Sequence, residues 1–204
     1  MKLFLLLIFC LNTGIIYAQD VYEEAALLES NIANGKKVYQ LCASCHLQNG
    51  LGKKNGSFPV IASQHKSVII KQLKDIQSKH RKNPTMYPFS DVKTIGGTQA
   101  VADVAAYIQS LPSGDSNGVG VGDNLALGKQ IYIKNCIVCH GPQGQGNVNF
   151  VFPRIKGQHY NYLFRQLKWI RDEYRVNSNK NMLTLIKPMS DEELSSLADY
   201  ISRL

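Results

Sequence analysis

The five residues Cys42-Ala43-Ser44-Cys45-His46 return 94 positions later as Cys136-Ile137-Val138-Cys139-His140. Two thiols three positions apart can each add to one vinyl group of a single haem, and the histidine that follows is placed to coordinate the iron from the same side. A redox-active C-x-x-C pair or half of a zinc site are the alternatives, and both leave the adjoining histidine unexplained twice. Cys42, Cys45, Cys136 and Cys139 are therefore the expected attachment points of two covalently bound haem c groups, with His46 and His140 as iron ligands.

At 204 residues the chain has room for one large domain or two small ones, and the paired motif favours two. Residues 1–18 read as a signal peptide: Lys2, an apolar run from Leu3 to Phe9, then Ala18 before a polar start at Gln19. Cleavage after Ala18 and a periplasmic destination follow. The run is short for a membrane span, retention as an anchor is the alternative, and a peripheral association with the membrane is compatible with either. Cys10 is removed with this segment, because Phe9 is too bulky for a lipid-attachment site. The four remaining cysteines all belong to the two motifs, so none is left for a disulfide. Small exported domains need another staple, and a tethered apolar cofactor is one.

After each motif histidine the halves stay in register without a gap for 37 residues. Phe58-Pro59 match Phe152-Pro153, Gln64-His65 match Gln158-His159, and Arg81 matches Arg175. Within each unit a short helix leads into the motif and a glycine-rich loop follows it. A second helix is expected over Ser67 to Arg81, with its counterpart around Tyr162 to Ile170, and a third closes the unit, carrying Val101 to Leu111 or Leu194 to Leu204. No stretch alternates as a strand. The expected organisation is an acidic lead-in over 19–30, one domain over 31–112, a Gly/Ser-rich linker over 113–123 and a second domain over 124–204.

Methionine is the usual sixth ligand opposite histidine in an electron-carrying haem c. Met86 lies 40 residues after His46 and is the sole methionine of its unit, whereas Met182 and Met189 lie 42 and 49 after His140. Ser190-Asp191-Glu192-Glu193 reads as a capping box, which gives Met189 a structural role as the staple packing on Leu194. Met86 and Met182 are the expected distal ligands. His65 and His159 compete as ligands, but each stands at a helix start beside a glutamine and is expected to hydrogen-bond near the haem edge or to cap that helix. Pro59 and Pro153 sit where a carbonyl could accept the proton of the ligand imidazole. Arg81 and Arg175 are candidates to pair with haem propionates, or simply belong to a solvated basic face.

This order of N-terminal helix, C-x-x-C-H, Phe-Pro and Gln-His loop, Gln-Leu-Lys helix, methionine and Ala-Asp/Ala-Tyr-Ile helix resembles the class I cytochromes c. Duplicated in one exported chain, it is similar to the dihaem cytochromes of the c4 type and to the haem subunit of flavocytochrome c sulfide dehydrogenase. The resemblance implies an all-α fold of two tandem class I cytochrome c domains, each wrapped around one covalent haem. It implies His46 and His140 as proximal ligands, Met86 and Met182 as distal ligands, and contacts of Gly35 and Gly128 with Tyr107 and Tyr200. Unit one departs from the pattern after Met86, where Ile95-Gly96-Gly97-Thr98 replaces the Ser-Asp helix start.

The function expected is a carrier of single electrons between a respiratory donor complex and a terminal oxidase or reductase, without a catalytic constellation and without nucleic acid as a partner. A haem subunit docked on a dehydrogenase, such as a sulfide-oxidising flavoprotein, is the second reading. A haem peroxidase would need one open iron position, which a methionine in both units argues against. Residues 31–112 hold eleven Lys/Arg against three Asp/Glu, and residues 124–204 hold eleven against six. Lys66, Lys71, Lys74, Lys79, Arg81 and Lys82 crowd one segment of the first unit, which suggests either a docking face for an acidic partner or simply an outward helix kept soluble by its charge.

Overall fold

The computed structural model describes residues 20–204. The signal segment and its expected cleavage point lie outside the described residues. Among the described residues the chain is helical, with one isolated bridge between Asn147 and Phe152 and no strand. The first half contains α1 (Val21–Leu27), α2 (Ile32–Val38), α3 (Gln40–His46), α4 (Lys66–Gln77), a 3-10 turn (Tyr87–Ser90), α5 (Val92–Ile95) and α6 (Thr98–Ser110). The second contains α7 (Leu125–Asn135), α8 (Ile137–His140), α9 (Tyr160–Arg171), α10 (Lys180–Ile186) and α11 (Asp191–Ser202).

Each half is framed by a helix crossing, α2 on α6 and α7 on α11. Gly35 and Gly128 occupy the crossing points against Tyr107 and Tyr200, where a side chain would collide with the facing helix. The fully buried rings of Tyr39 and Tyr132 fill the space beside them, 5.2 Å from Tyr107 and 5.5 Å from Tyr200. Their hydroxyls donate to the carbonyls of Leu47 at 2.8 Å and Gly141 at 2.6 Å. A buried phenol needs such a partner. It also ties the end of each motif helix to the crossing.

The helix expected over Ser67 to Arg81 ends earlier, at Gln77. Lys79 and its counterpart Glu173 adopt left-handed backbone conformations, which reverse the chain. The N–H of Arg81 then reaches the Asp75 carbonyl, and that of Arg175 the Trp169 carbonyl, both at 2.8 Å. Apolar spacing does not register this reversal, because it is a backbone turn rather than a change of buried face.

The halves differ most around their methionines. Met86 precedes a single 3-10 turn in a stretch carrying Pro84 and Pro88, which lack the N–H a longer helix needs. Met182 lies within α10, which Asn179 starts by accepting from the Asn181 N–H. From Met86 the chain passes through α5, capped by Asp91, and through Gly96 and Gly97, both with positive φ, into α6. The capping box of Ser190 and Glu193 is present, and Met189 is buried in the second core with Leu194.

The acidic lead-in forms α1 and packs on α4 and α6, burying Tyr22 and Ala25. The linker is closely packed as well: a Cβ on Gly118 would lie 2.1 Å from the Lys54 carbonyl oxygen. Asp199 of α11 accepts from the N–H groups of Gly120 and Gly122 at 3.0 and 2.7 Å.

Candidate haem site

Each motif helix presents its thiols and imidazole to one continuous cavity of about 980 Å³ that runs through both halves. Cys42, Cys45, Cys136 and Cys139 are free and half-buried at its wall. Burial, and next the neighbouring thiol, pushes the Cys42 thiol up to about 11 and the Cys136 thiol up to about 12. Apolar side chains of α4 and α6, among them Val68, Leu73, Val104 and Ile108, line the first half of the cavity. Leu163, Leu167, Leu197 and Ile201 do the same in the second. Among the described residues no three His, Cys, Asp or Glu side chains converge as a metal site, so the zinc alternative lacks its further ligands.

His46 and His140 are buried, and their Nδ1 atoms lie 3.0 Å from the carbonyl oxygens of Pro59 and Pro153. A carbonyl only accepts, so Nδ1 carries the proton and Nε2 keeps its lone pair. Burial lowers both imidazole pKa values, and the carbonyl contact offsets part of that shift. The Pro59 and Pro153 carbonyls are held in place by glycines. Gly52 and Gly146 take positive φ and donate to the carbonyls of His46 at 3.0 Å and His140 at 2.8 Å. A Cβ on either would stand 2.3 or 2.4 Å from the carbonyl oxygen of Phe58 or Phe152. Only glycine lets the loop fold back this tightly.

Met86 and Met182 line the cavity, whereas Met189 does not and is 8% exposed within the core. His65 and His159 make no cap hydrogen bond with the helices they precede. Their Nε2 atoms instead donate across to the other half, His65 to the Gln145 carbonyl at 2.9 Å and His159 to the Leu51 carbonyl at 2.8 Å. Of the two roles expected for them, helix capping is not seen, and the hydrogen bonds they make fasten the two halves together.

Arg81 and Arg175 meet between the halves. Arg81 donates to Gln72 at 2.7 Å and across to Tyr162 at 2.5 Å, while Arg175 donates to Gln166 at 2.8 Å and across to Gln72 at 3.3 Å. Neither forms an ion pair with a described carboxylate, and both line the cavity. Burial, followed by the Arg81 charge, lowers the Arg175 pKa, although a guanidinium does not give up its proton. Two half-buried cations where the two halves of the apolar cavity meet call for anionic groups, which haem propionates supply. The donor set, the apolar walls and this arginine pair fit two haem groups.

The basic stripe on α4 is mostly engaged within the molecule. Lys74 pairs with Asp20 at 2.9 Å and Glu23 at 2.8 Å, Lys71 with Asp75, and Lys66 donates to the Leu28 carbonyl at 2.8 Å. Lys79 and Lys82 lie over the rings of Tyr87 and Tyr174. Charge counting missed the Lys74 pairs because the acidic lead-in supplies them from outside the counted segment.

Two helical units, each with a C-x-x-C-H helix facing an apolar cavity and a methionine in the wall, define a dihaem cytochrome. The family model "Cytochrome c" matches residues 32–112 and again 125–204, and the chain belongs to that family. It carries two covalent haem c groups and is an electron carrier. It is 32% identical over 202 residues to the thiosulfate dehydrogenase electron acceptor of Stutzerimonas stutzeri, covering 88% of this chain and 92% of that one. It is 30% identical over 180 residues to cytochrome c4 of Pseudomonas aeruginosa, covering 84% and 88%. The crystal structure of reduced cytochrome c4 from Pseudomonas stutzeri superposes with a TM-score of 0.74 at 26% identity, over 86% of this chain and all of that one.

Proposed function

We propose that the chain is a periplasmic carrier that takes single electrons from a respiratory donor complex and passes them to a terminal oxidase or reductase, and that it is not itself an enzyme. In this reading domains over 31–112 and 124–204 follow removal of residues 1–18. Cys42 and Cys45 hold one haem and Cys136 and Cys139 the other. His46 with Met86, and His140 with Met182, ligate the irons. Haem iron, when bound, supplies one-electron exchange without bond making. The observation that carries the reading is the doubled donor set on one continuous cavity: each half offers an imidazole with a free Nε2 and a thioether.

The chain's own residues do the rest. The Pro59 and Pro153 carbonyls orient the imidazoles, the apolar walls exclude water and the thioethers raise the reduction potentials. Arg81 and Arg175, in the cavity wall between the halves, would hold the anionic propionates of the bound groups. Intact-protein mass spectrometry should show two covalent haems. Spectra of the reduced protein under carbon monoxide should stay unchanged, because both sixth positions are filled. A mass for one haem, or carbon monoxide binding at either iron, would overturn the assignment.

A second reading, an acceptor subunit docked on a dehydrogenase, is favoured by the likeness to the thiosulfate dehydrogenase electron acceptor. Purification of the native protein separates the two readings: a stoichiometric dehydrogenase partner supports the docked subunit, and an isolated dihaem protein supports the free carrier.

A further inference from the structure

The peptide group between Pro59 and Val60 is hydrogen-bonded at both ends. Its carbonyl accepts from His46 Nδ1 at 3.0 Å, and its N–H donates to Gln158 Oε1, in the other half, at 2.9 Å. Gln158 Nε2 donates back to the Val60 carbonyl at 2.8 Å. The equivalent peptide between Pro153 and Arg154 is held in the same way. It accepts from His140 Nδ1 at 3.0 Å and donates to Gln64 Oε1 at 2.9 Å, and Gln64 Nε2 returns to the Arg154 carbonyl at 2.8 Å.

The amide orientations are not interchangeable. Gln158 Oε1 also accepts from the His159 N–H at 3.0 Å, and Gln64 Oε1 from the His65 N–H at 3.2 Å. Each amide oxygen thus faces two donors and each amide nitrogen a carbonyl. Turning either amide over would set donors against donors.

We infer that Gln158 is a positioning residue for His46 and Gln64 for His140, so that each domain tunes the iron ligand of the other through one peptide group. The inference rests on the reading of His46 and His140 as iron ligands. A peptide is conjugated, so an acceptor at its N–H draws electron density towards its carbonyl oxygen. A stronger carbonyl acceptor makes the imidazole bonded to it a better donor to iron. A more basic imidazole favours ferric iron and lowers the reduction potential. Gln158 is buried, which keeps water from replacing its amide at the Val60 N–H.

The consequence is crossed. Loss of the Gln158 amide weakens the acceptor at Pro59 in the first domain, although Gln158 belongs to the second. An undocked pair of domains would lose both contacts together.

The experiment uses the dihaem holoprotein with Gln158→Leu and, separately, Gln64→Leu. Gln158→Met and Gln64→Met serve as volume-conserving versions should a leucine variant fold poorly. The midpoint potential of each haem and the His Nδ1–H proton resonances are read by NMR during redox titration, with haems assigned to domains through contacts to neighbouring side chains. Gln158→Leu should raise the potential of the haem at His46 and move the His46 resonance while leaving the haem at His140 in place. Gln64→Leu should do the reverse. Equal shifts at both haems, a shift confined to the substituted domain, or no shift at all would overturn the inference. Failure of the ligand reading itself would show earlier, as a wild-type protein lacking histidine–methionine spectra at its two irons.

Discussion

Gly35 lies so close to Asp103 that a Cβ built on it would stand 2.1 Å from the Asp103 carbonyl oxygen. Gly128 stands in the same relation to Ser196, at the same distance. The nearest atoms are backbone, so no rotamer change can relieve the overlap. Gly35→Ala should destabilise the first domain by about 3 kcal/mol, the upper end for overpacking, and Gly128→Ala the second. Denaturant unfolding of the holoprotein, followed at each haem, would measure this. Unchanged midpoints would mean that the helices separate more easily than their contact suggests.

Met182 and Met189 should respond to truncation in different ways. Met182→Ala is expected to remove the weak long-wavelength thioether–iron absorption band of one haem. Met189→Ala should keep the band and cost about 2–5 kcal/mol, because this side chain is buried in the second core against the capped start of α11. Loss of the band in Met189→Ala would transfer the ligand to that residue.

His159 ties the linker to both halves as a neutral imidazole. Its Nδ1 accepts from the Gly118 N–H at 3.0 Å while its Nε2–H reaches Leu51. Burial lowers its pKa, the Leu51 contact raises it in part, and Lys54 lowers it. The unfolded histidine therefore binds a proton more readily than the folded one. This contribution to stability is full above the ordinary histidine pKa of about 6.5 and declines as pH falls below it. Hydrogen exchange at the Gly118 and Tyr160 amides should accelerate in that range, and His159→Gln should flatten the dependence. A flat wild-type profile would exclude the effect.

Lys74→Glu, a charge reversal within the suggested docking face, should act first on the fold. A carboxylate there would face Asp20 and Glu23, the two groups that Lys74 now holds. These pairs are about a third exposed on the lysine side, so screening limits the effect to about 1 kcal/mol. Exchange at the α1 amides should rise at low salt and converge with wild type at high salt. If α1 is unaffected and only partner rates change, the lysine serves docking after all.

Much of the site was legible because its parts are local or repeated. The C-x-x-C-H spacing, the proline two positions before Ile61 or Ile155, and the capping box after Met189 each involve neighbours in sequence. The Gly35–Tyr107 contact was reached only through the family resemblance, since nothing local pairs residues so far apart. The Gln64-His65 and Gln158-His159 pairs were visible as repeated letters, yet their partners were not. Both side chains act across the domain interface on backbone groups, and a backbone acceptor leaves no residue type to read.

The amino-acid sequence by itself determined the number of units, the helical class, the thiols and imidazoles, and one candidate methionine for each unit. These follow from covalent spacing and apolar periodicity, which are properties of short segments. Tertiary structure alone decided that Lys74 of α4 pairs with Asp20 and Glu23 of the lead-in, how the arginines of the two units meet, and how each domain grips the proline peptide of the other. Those relations depend on how surfaces distant in sequence come to rest against one another. Hydrogen bonds to backbone and the burial of charge become defined only when that docking has excluded water.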